Sequence, residues 1–274
     1  MKYACPGVAF LRFPSAGLGA RARGAWDALA SLVFPAPCRI CEATLDIASR
    51  IPICASCRDS LRPLAGVLCS ICGRPIVSPQ AALTEQPQCH ACRRGMYGFD
   101  LARSYGRYDD AMVRAIILLK YEGVTPLGAW FAERLAELVA AQDQRFAADA
   151  VIPVPLHPAR LHERGYNQAE LIARPLARRL SLPLRPYLLV RTKPRPDKLK
   201  LTRRERWETV RGAYALREGA RVDKLRILLV DDVFTTGATL DACSRALRRA
   251  GAARIAGLTV ARVVNDGSSA GQGW

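Results

Sequence analysis

From about residue 95 onward, short apolar runs alternate with stretches in which apolar residues recur every three or four positions. Such runs are typical of strands buried on both faces of a parallel sheet, and the three-to-four repeat is typical of amphipathic helices. Apolar runs lie at 101–108, 149–156, 187–190, 212–216, 227–230 and 255–264. Helical repeats lie at 111–121 and 127–141, and another helix is expected from about Leu240. The alternation predicts an α/β domain with a parallel sheet flanked by helices.

One stretch, residues 227–239 (ILLVDDVFTTGAT), joins a predicted strand to a turn, and its polar residues could bind a ligand. Asp231 and Asp232 come where the strand is expected to end, and carboxylates there can accept hydrogen bonds from sugar hydroxyls. Backbone N–H groups at the start of the following helix favour a phosphate, and threonine hydroxyls add donors. The turn consists of Thr235, Thr236, Gly237, Ala238 and Thr239. The stretch predicts a sugar-phosphate site; the alternative is a buried strand, a turn and a capped helix without a ligand.

A polar and basic turn follows the predicted strand at 149–156 and precedes a helix. Ligands of parallel sheets bind beside such connections, so we expect this turn to face the same site. The alternative is a solvated basic loop. His157 and His162 have no obvious nucleophile near them in the sequence, so no hydrolase triad is predicted. The turn contains Arg160, His162, Arg164, Gly165, Tyr166, Asn167 and Gln168.

Eight of the ten cysteines form four Cys-x-x-Cys pairs, in a segment expected to be held together by metal rather than by a hydrophobic core. The pairs are Cys38 and Cys41, Cys54 and Cys57, Cys69 and Cys72, and Cys89 and Cys92. Two pairs supply the four thiolates of a tetrahedral site, so two structural zinc ions are predicted. Pairing in sequence order is expected because short loops close at low entropic cost, and disulfides or a redox pair are the alternatives. His90 is expected to be a bystander, and Cys243 a small buried residue.

The 274-residue chain has 41 Lys and Arg against 24 Asp and Glu, a formal net charge of +17, which favours phosphate-rich partners. The most basic segment, 185–211, is expected to be extended in its proline-rich first half. It could close over a phosphorylated ligand or follow single-stranded DNA, with Trp207 and Tyr214 as stacking platforms.

Lys120, at the end of a predicted helix, is expected to be solvated. Because no run of 18 apolar residues occurs, we expect no membrane-spanning helix and a cytoplasmic location.

Residues 227–239 resemble the signature with which type I phosphoribosyltransferases bind phosphoribosyl pyrophosphate (PRPP). Together, the four cysteine pairs, DAVIPVPL, RLHERGYNQAELIA, LTRRERWETVRGAY and LLVDDVFTTGAT resemble the ComF family. The resemblance implies a double zinc ribbon, a phosphoribosyltransferase-like domain, and a link to competence and DNA uptake. It further implies that the ligand is PRPP or another ribose 5-phosphate compound, bound with Mg²⁺. The partners that it implies are single-stranded DNA and a competence helicase. The residues that it assigns to the ligand are Asp231, Asp232, Thr235, Thr236, Gly237, Ala238, Thr239, Arg160, Arg164 and Asn167.

Two functions are compatible with this resemblance. A transferase would hold the ribose while an acceptor displaces pyrophosphate, by positioning and charge stabilisation, with no protein nucleophile and no catalytic residue that the sequence identifies. The alternative is a single-stranded DNA-binding accessory module that keeps the PRPP pocket without turnover. The expected organisation is a leader with a short amphipathic helix (1–37), the double zinc ribbon (38–94), the phosphoribosyltransferase-like domain (95–265) and a disordered tail (266–274).

Overall fold

The computed structural model describes residues 37–45, 49–194 and 201–264. The helix expected in the leader and the tail expected at 266–274 lie outside the described residues. The chain divides into two compact units, Met1–Cys54 and Ala55–Trp274. The domain limits expected from the sequence stay a prediction.

The first unit contains a tight turn around its first cysteine pair. Pro37 and Thr44 form an antiparallel bridge. Within this bridge the Cys38 N–H donates to the Ala43 carbonyl over 2.7 Å, and the Glu42 N–H donates to the Cys38 carbonyl over 2.9 Å. Residues 37–44 are called the first knuckle below.

The second unit contains the same turn again around its first cysteine pair, and residues 68–75 are called the second knuckle. Leu68 and Pro75 form the bridge. The Cys69 N–H donates to the Arg74 carbonyl over 2.8 Å, and the Gly73 N–H donates to the Cys69 carbonyl over 2.9 Å. The repeated Cys-x-x-Cys spacing therefore gives the same backbone twice.

The strands of the second unit form a parallel sheet and a smaller antiparallel pair. The described strands are β1 (Leu101–Arg107), β2 (Ala150–Pro153), β3 (Leu189–Arg191), β4 (Tyr214–Leu216), β5 (Arg226–Phe234) and β6 (Arg254–Arg262). The parallel sheet has the order β1–β6–β5–β2, and β3 pairs with β4. Because its strands are parallel, their carboxyl ends meet at one edge of the sheet, where such folds bind ligands. The predicted parallel sheet is confirmed.

Strand β5 is longer than the sequence indicated. Its apolar run was expected to end at Val230, but its pairing with β6 continues to Phe234, opposite Arg262. Asp231 and Asp232 therefore lie inside the strand and not after it. Polar residues can continue a strand when the neighbouring ladder extends past them, which apolar periodicity alone does not reveal.

The described helices are α1 (Ala55–Ser60), α2 (Pro79–Ala82), α3 (His90–Arg93), α4 (Asp110–Tyr121), α5 (Pro126–Ala140), α6 (Pro158–Arg164), α7 (Gln168–Arg179), α8 (Arg203–Val210) and α9 (Ala238–Arg249). The predictions of α4 and α5 are confirmed, and α9 begins two residues before its expected start. Buried residues recur along α4, α5, α7 and α9, so each of these helices packs an apolar face into the protein.

The polar turn expected at 160–168 is mostly helical, so that prediction was wrong. Pro158, at the first helical position, starts α6 with a preset backbone angle. Gly165 ends this helix in the left-handed conformation, with φ of 79°. The Asn167 side chain then caps α7 by accepting the Ala169 N–H over 3.0 Å. The basic residues of this segment therefore project from a short helix.

The basic segment 185–211 is also more regular than expected. Its described parts contain β3 and α8, while 195–200 lies outside the described residues. Thr202 and Glu205 form a reciprocal capping box at the start of α8. This signal, a threonine followed three residues later by a glutamate, was readable in the sequence and was missed.

The second half of the cysteine-rich segment is part of the core of the second unit. Its four cysteines belong to one buried cluster with residues of β2, β5 and α9, including Ile152, Leu229 and Leu247. For this half, the expectation that metal alone replaces a hydrophobic core was wrong, because a large apolar domain packs on it.

Candidate functional site

The acidic pair lies on β5 near the carboxyl edge of the sheet. Asp231 is 8% exposed and Asp232 is 5% exposed. The Asp232 N–H donates to Asp231 Oδ1 over 2.9 Å. Successive residues of a strand point to opposite faces, so the two carboxylates have different surroundings. Each acid can therefore serve a different part of one ligand.

Asp232 faces Lys120 at the end of α4. The Lys120 Nζ lies 2.9 Å from Asp232 Oδ2. Burial opposes the charge of the ammonium, but the attraction of Asp232 outweighs it and raises the pKa of Lys120. The expectation of a solvated lysine was wrong, because a long-range ion pair holds this side chain beside the acidic pair.

Asp231 faces the turn that follows β5. Burial, reinforced by the charge of Asp232, raises the pKa of Asp231 to about 7. A carboxyl group with this pKa is ready to exchange its proton for a hydroxyl donor or a cation near neutral pH. Asp231 lines a narrow cavity together with residues of that turn, namely Val233, Phe234, Thr235, Gly237, Thr239 and Leu240.

The turn itself, residues Thr235 to Thr239, is called the phosphate loop below. Gly237 has φ of 83° and precedes the first residue of α9. A Cβ atom at Gly237 would lie 2.6 Å from Phe234 Cζ, so both the backbone angle and the space require glycine. Thr236 Oγ1 accepts the Ala238 N–H over 3.3 Å. The loop therefore presents the amino end of α9, where backbone N–H groups and the helix dipole favour an anion.

A larger cavity, of about 360 Å³, lies on the Lys120 side of the acidic pair. Its lining residues are Lys120, Tyr121, Gly123, Arg160, Glu163, Arg164 and Tyr166. The guanidinium of Arg164 lies 4.8 Å from the centre of the Tyr121 ring. Three cationic side chains against one carboxylate make this cavity suitable for a polyanion. Lys120 connects it to the acidic pair.

Six of the ten site residues predicted from the sequence line these two cavities, namely Arg160, Arg164, Asp231, Thr235, Gly237 and Thr239. Asp232, Thr236 and Ala238 are chain neighbours of these lining residues, whereas Asn167 has a structural role. Its amide donates to the Val154 carbonyl over 3.0 Å in addition to capping α7. Asn167 thus fixes the connection between β2 and α7, and it reaches the site only through the elements that it positions. Lys120 was missed because its partner is 112 residues away and no local motif announces an ion pair.

The eight paired cysteines form two sets in sequence order, as predicted. The ligand atoms of each set lie within 4.8 Å of one another. The first set is Cys38, Cys41, Cys54 and Cys57, and the second set is Cys69, Cys72, Cys89 and Cys92. Zinc–sulfur bonds of about 2.3 Å in a tetrahedron put sulfur atoms about 3.8 Å apart. The sulfur atoms of Cys41 and Cys54, and those of Cys72 and Cys89, lie 3.6 Å apart, so both sets fit structural zinc.

Two buried arginines surround the second set. Arg262, which is 2% exposed, donates to the Cys72 carbonyl. Arg103 donates to the carbonyls of Ser70 and Ile71 over 3.1 and 3.2 Å. Four thiolates and one zinc ion carry a net charge of −2, so these cations compensate a charge that lies inside the core.

The proposed stacking platforms for single-stranded DNA are not both accessible. Tyr214 is 3% exposed, and its hydroxyl accepts a hydrogen bond from Arg191 over 3.1 Å. It cannot stack on a base, so that expectation was wrong. Trp207 is half-buried, with its ring 6.1 Å from that of Tyr97.

No helix within residues 37–45, 49–194 and 201–264 combines the length and apolarity that a membrane span requires.

Comparison with known proteins supports both halves of the architecture. Residues 29–93 match the double zinc ribbon domain, and residues 167–269 match the phosphoribosyl transferase domain. Competence protein F of Haemophilus influenzae is 31% identical over 74% of this chain and 93% of its own length. Competence protein ComFC of Bacillus subtilis is 29% identical, over 77% of this chain and 84% of its own. The DNA utilization protein YhgH of Salmonella typhimurium is 27% identical, over 82% of this chain and 96% of its own length.

Among solved structures, the chain is similar to a glutamine PRPP amidotransferase from B. subtilis, with 21% identity and a TM-score of 0.34. That match covers 50% of this chain and 26% of the other. The family matches and the described sheet together confirm the expected fold: a parallel sheet flanked by helices, preceded by a double zinc ribbon.

Proposed function

The chain belongs to the ComF family, and on that premise we propose that it binds PRPP with Mg²⁺ at the carboxyl edge of its parallel sheet. The observation that carries this proposal is the ion pair between Lys120 and Asp232, with 2.9 Å between Nζ and Oδ2. It connects the acidic pair, which suits a ribose, to the basic cavity, which suits a pyrophosphate.

The 5′-phosphate lies in the phosphate loop in this proposal. Thr235, Thr236 and Thr239 supply hydroxyl donors, and Gly237 and Ala238 supply backbone at the amino end of α9. Anions at such a position are stabilised by unpaired N–H groups and by the helix dipole together. The requirement for glycine at Gly237 supports a loop whose backbone comes close to its ligand.

The ribose lies at the carboxyl edge of the sheet, beyond the end of β5, and its hydroxyls donate to Asp231 and Asp232. The pyrophosphate occupies the basic cavity beside Lys120, Arg160 and Arg164, with Mg²⁺ supplying further positive charge to its oxygens. The raised pKa of Lys120 keeps the ammonium charged, which favours a polyanion there. Pyrophosphate departure would then be assisted by fixed positive charge, without a protein nucleophile.

The biological role that we propose is DNA uptake and use. Two of the relatives are named as competence proteins and a third as a DNA utilization protein. Single-stranded DNA and a competence helicase are the partners predicted for this role. The large excess of basic residues favours the first of them, since it attracts phosphate backbones.

Isothermal titration with PRPP and Mg²⁺ tests the binding. The parent protein should bind, and Asp231→Asn combined with Asp232→Asn should weaken binding about 100-fold, because two hydrogen bonds to charged acceptors are lost. Asp149→Asn is the matched control, since Asp149 pairs with Arg226 at the amino edge of the same strands. Unchanged binding by the double variant would overturn the proposed site. Pyrophosphate release across a panel of bases and amines then measures turnover.

A further inference from the structure

Tyr97 lies beneath the phosphate loop, although in the sequence it follows the last paired cysteine, Cys92, by only five positions. Its hydroxyl donates to the Thr236 carbonyl over 3.1 Å. A Cβ atom at Gly237 would come within 2.7 Å of its Cε1, so the ring touches the loop backbone. The ring stacks on Phe99 with 4.8 Å between centroids. Burial raises the pKa of Tyr97 to about 12, so its hydroxyl keeps the proton that it donates.

The residues on either side of Tyr97 hold the first turns of α9. The Gly98 N–H donates to Asp241 Oδ1 over 2.7 Å, and Asp241 is buried. The Met96 carbonyl accepts a hydrogen bond from Arg245 over 3.0 Å. Three consecutive residues thus fix the loop and the helix end that present N–H groups to an anion. Residues 96–98 are called the strut below.

The other end of the strut is attached to the second cysteine set. The Met96 N–H donates to the Ala91 carbonyl over 3.1 Å, and the Gly95 N–H donates to the Cys92 carbonyl over 3.0 Å. Ala91 and Cys92 belong to α3, and Cys89 is the residue that precedes this helix. Only three residues separate the last cysteine of the set from the strut. Cys89 and Cys92 lie at the start of α3 and within it, so a zinc ion bound by both would fix the position of this helix.

We propose that the strut couples zinc binding at the second cysteine set to phosphate binding at the phosphate loop, with Tyr97 as the positioning residue. The inference rests on the proposed function, since it concerns the loop that holds the 5′-phosphate. Coupling between two sites is reciprocal: if zinc raises the affinity of the loop for its ligand, the ligand must raise the affinity of this set for zinc by the same factor. The first set has no such role, because the strut continues from the second set.

Tyr97→Phe tests the positioning role, because it removes the hydroxyl and keeps the stacked ring. PRPP binding in the presence of Mg²⁺ should weaken about fivefold, the usual effect of one hydrogen bond. Tyr105→Phe is the matched control: Tyr105 is also buried, and its hydroxyl also donates to a backbone carbonyl, that of Leu61 over 2.7 Å. Both variants should lose similar stability, but only Tyr97→Phe should lose affinity.

Zinc release to a chelator, measured with and without PRPP, tests the coupling. The protein for this experiment carries Cys38→Ser and Cys41→Ser, so that only the second set holds zinc. At equilibrium, PRPP should raise severalfold the chelator concentration needed to remove half of the zinc, and Tyr97→Phe should reduce this protection in proportion to its loss of affinity. If the parent bound no PRPP, the proposed function would fail and the coupling with it. If PRPP bound but Tyr97→Phe kept full affinity and full protection, only the coupling would fail.

Discussion

The two knuckles have the same backbone and different surroundings. In each, the residue after the second cysteine is left-handed, with φ of 66° at Glu42 and 69° at Gly73. In the first set Cys41 is exposed and Cys54 and Cys57 are half-buried, whereas all four cysteines of the second set are buried. Buried arginines accompany only the second set among the described residues. The spacing of the cysteines therefore determines the backbone of the knuckle but not how deeply the cysteine set is buried.

The difference also shows which part of a zinc ribbon depends on its neighbours. A Cβ atom at Gly73 would lie 2.9 Å from the Ala102 carbonyl oxygen on β1, so the second knuckle packs directly on the sheet. The first knuckle accepts a glutamate at the same position, with a backbone cost of about 1 kcal/mol. The cysteines of the second set belong to the hydrophobic core of the second unit, and those of the first set do not. We infer that the second zinc ion stabilises this core and that the first stabilises only the residues around its own ligands.

The largest expected effect comes from removing equivalent ligands of the two sets. Cys69→Ser with Cys72→Ser should remove one zinc ion, unfold the second unit and abolish PRPP binding. Structural zinc contributes on the order of 10 kcal/mol, which is comparable to the total stability of a domain. Zinc content by mass spectrometry and thermal unfolding by circular dichroism measure the outcome.

Cys38→Ser with Cys41→Ser is the counterpart in the first set. This variant should also lose one zinc ion, but the unfolding transition of the second unit and its PRPP affinity should remain. Equal damage by the two double variants would remove the distinction between the sets.

A smaller effect is expected from the left-handed positions. Gly73→Ala should destabilise the second unit by about 2 kcal/mol or more, because the new methyl group meets a backbone oxygen and the backbone angle is unfavourable. Glu42→Gly should instead stabilise the first ribbon slightly, by up to about 1 kcal/mol. Chemical denaturation followed through zinc release measures both. A harmless Gly73→Ala would show that the second knuckle does not pack on β1.

The smallest effect concerns the pH dependence of the stability of the second unit. The pKa of Asp231 is raised above its unfolded value, so the protonated carboxyl stabilises the fold and this contribution is lost as pH rises from about 4 to about 7. Stability of the second unit should fall by at most about 1.4 kcal/mol per pH unit in this window, and Asp231→Asn should flatten the slope.

Asp149→Asn serves as the control, because the pKa of Asp149 is shifted in the opposite direction to that of Asp231. Its pair with Arg226 lowers the pKa of Asp149, so its contribution is present at neutral pH and is lost only as pH falls through the acid range. The slope between pH 5 and 7 should therefore survive in this variant. A flattened slope in both variants would show that Asp231 is not its source.

Local patterns were sufficient for much of this molecule. Apolar runs and helical repeats located β1, α4 and α5 because these elements bury regular faces. Cysteine spacing located both metal sets, since four ligands at short range leave few pairings. Likewise, the order of strand, acids and threonine-glycine turn located the loop between β5 and α9, which we propose binds phosphate.

The parts that were missed depend on contacts between distant residues. The ion pair of Lys120 and Asp232 joins the end of α4 to β5, and the burial of Tyr214 follows from its pairing with β3. The hydrogen bond of Tyr97 to Thr236 spans 139 positions. None of these partners is marked by its own neighbours in the sequence, so only the fold brings them together.

The hydrogen bond between Arg262 and the Cys72 carbonyl has a consequence for biosynthesis. The second cysteine set leaves the ribosome long before β6, the strand that carries Arg262 and is the last strand described. Zinc can therefore enter while the set is still open, and the arrival of β6 then closes the core over it. We expect zinc exchange to be slower once this strand has paired, because the cysteines of the set are then buried. We expect protein made during zinc starvation to fail at this closing step and to be degraded as new chain, whereas molecules completed earlier retain their metal.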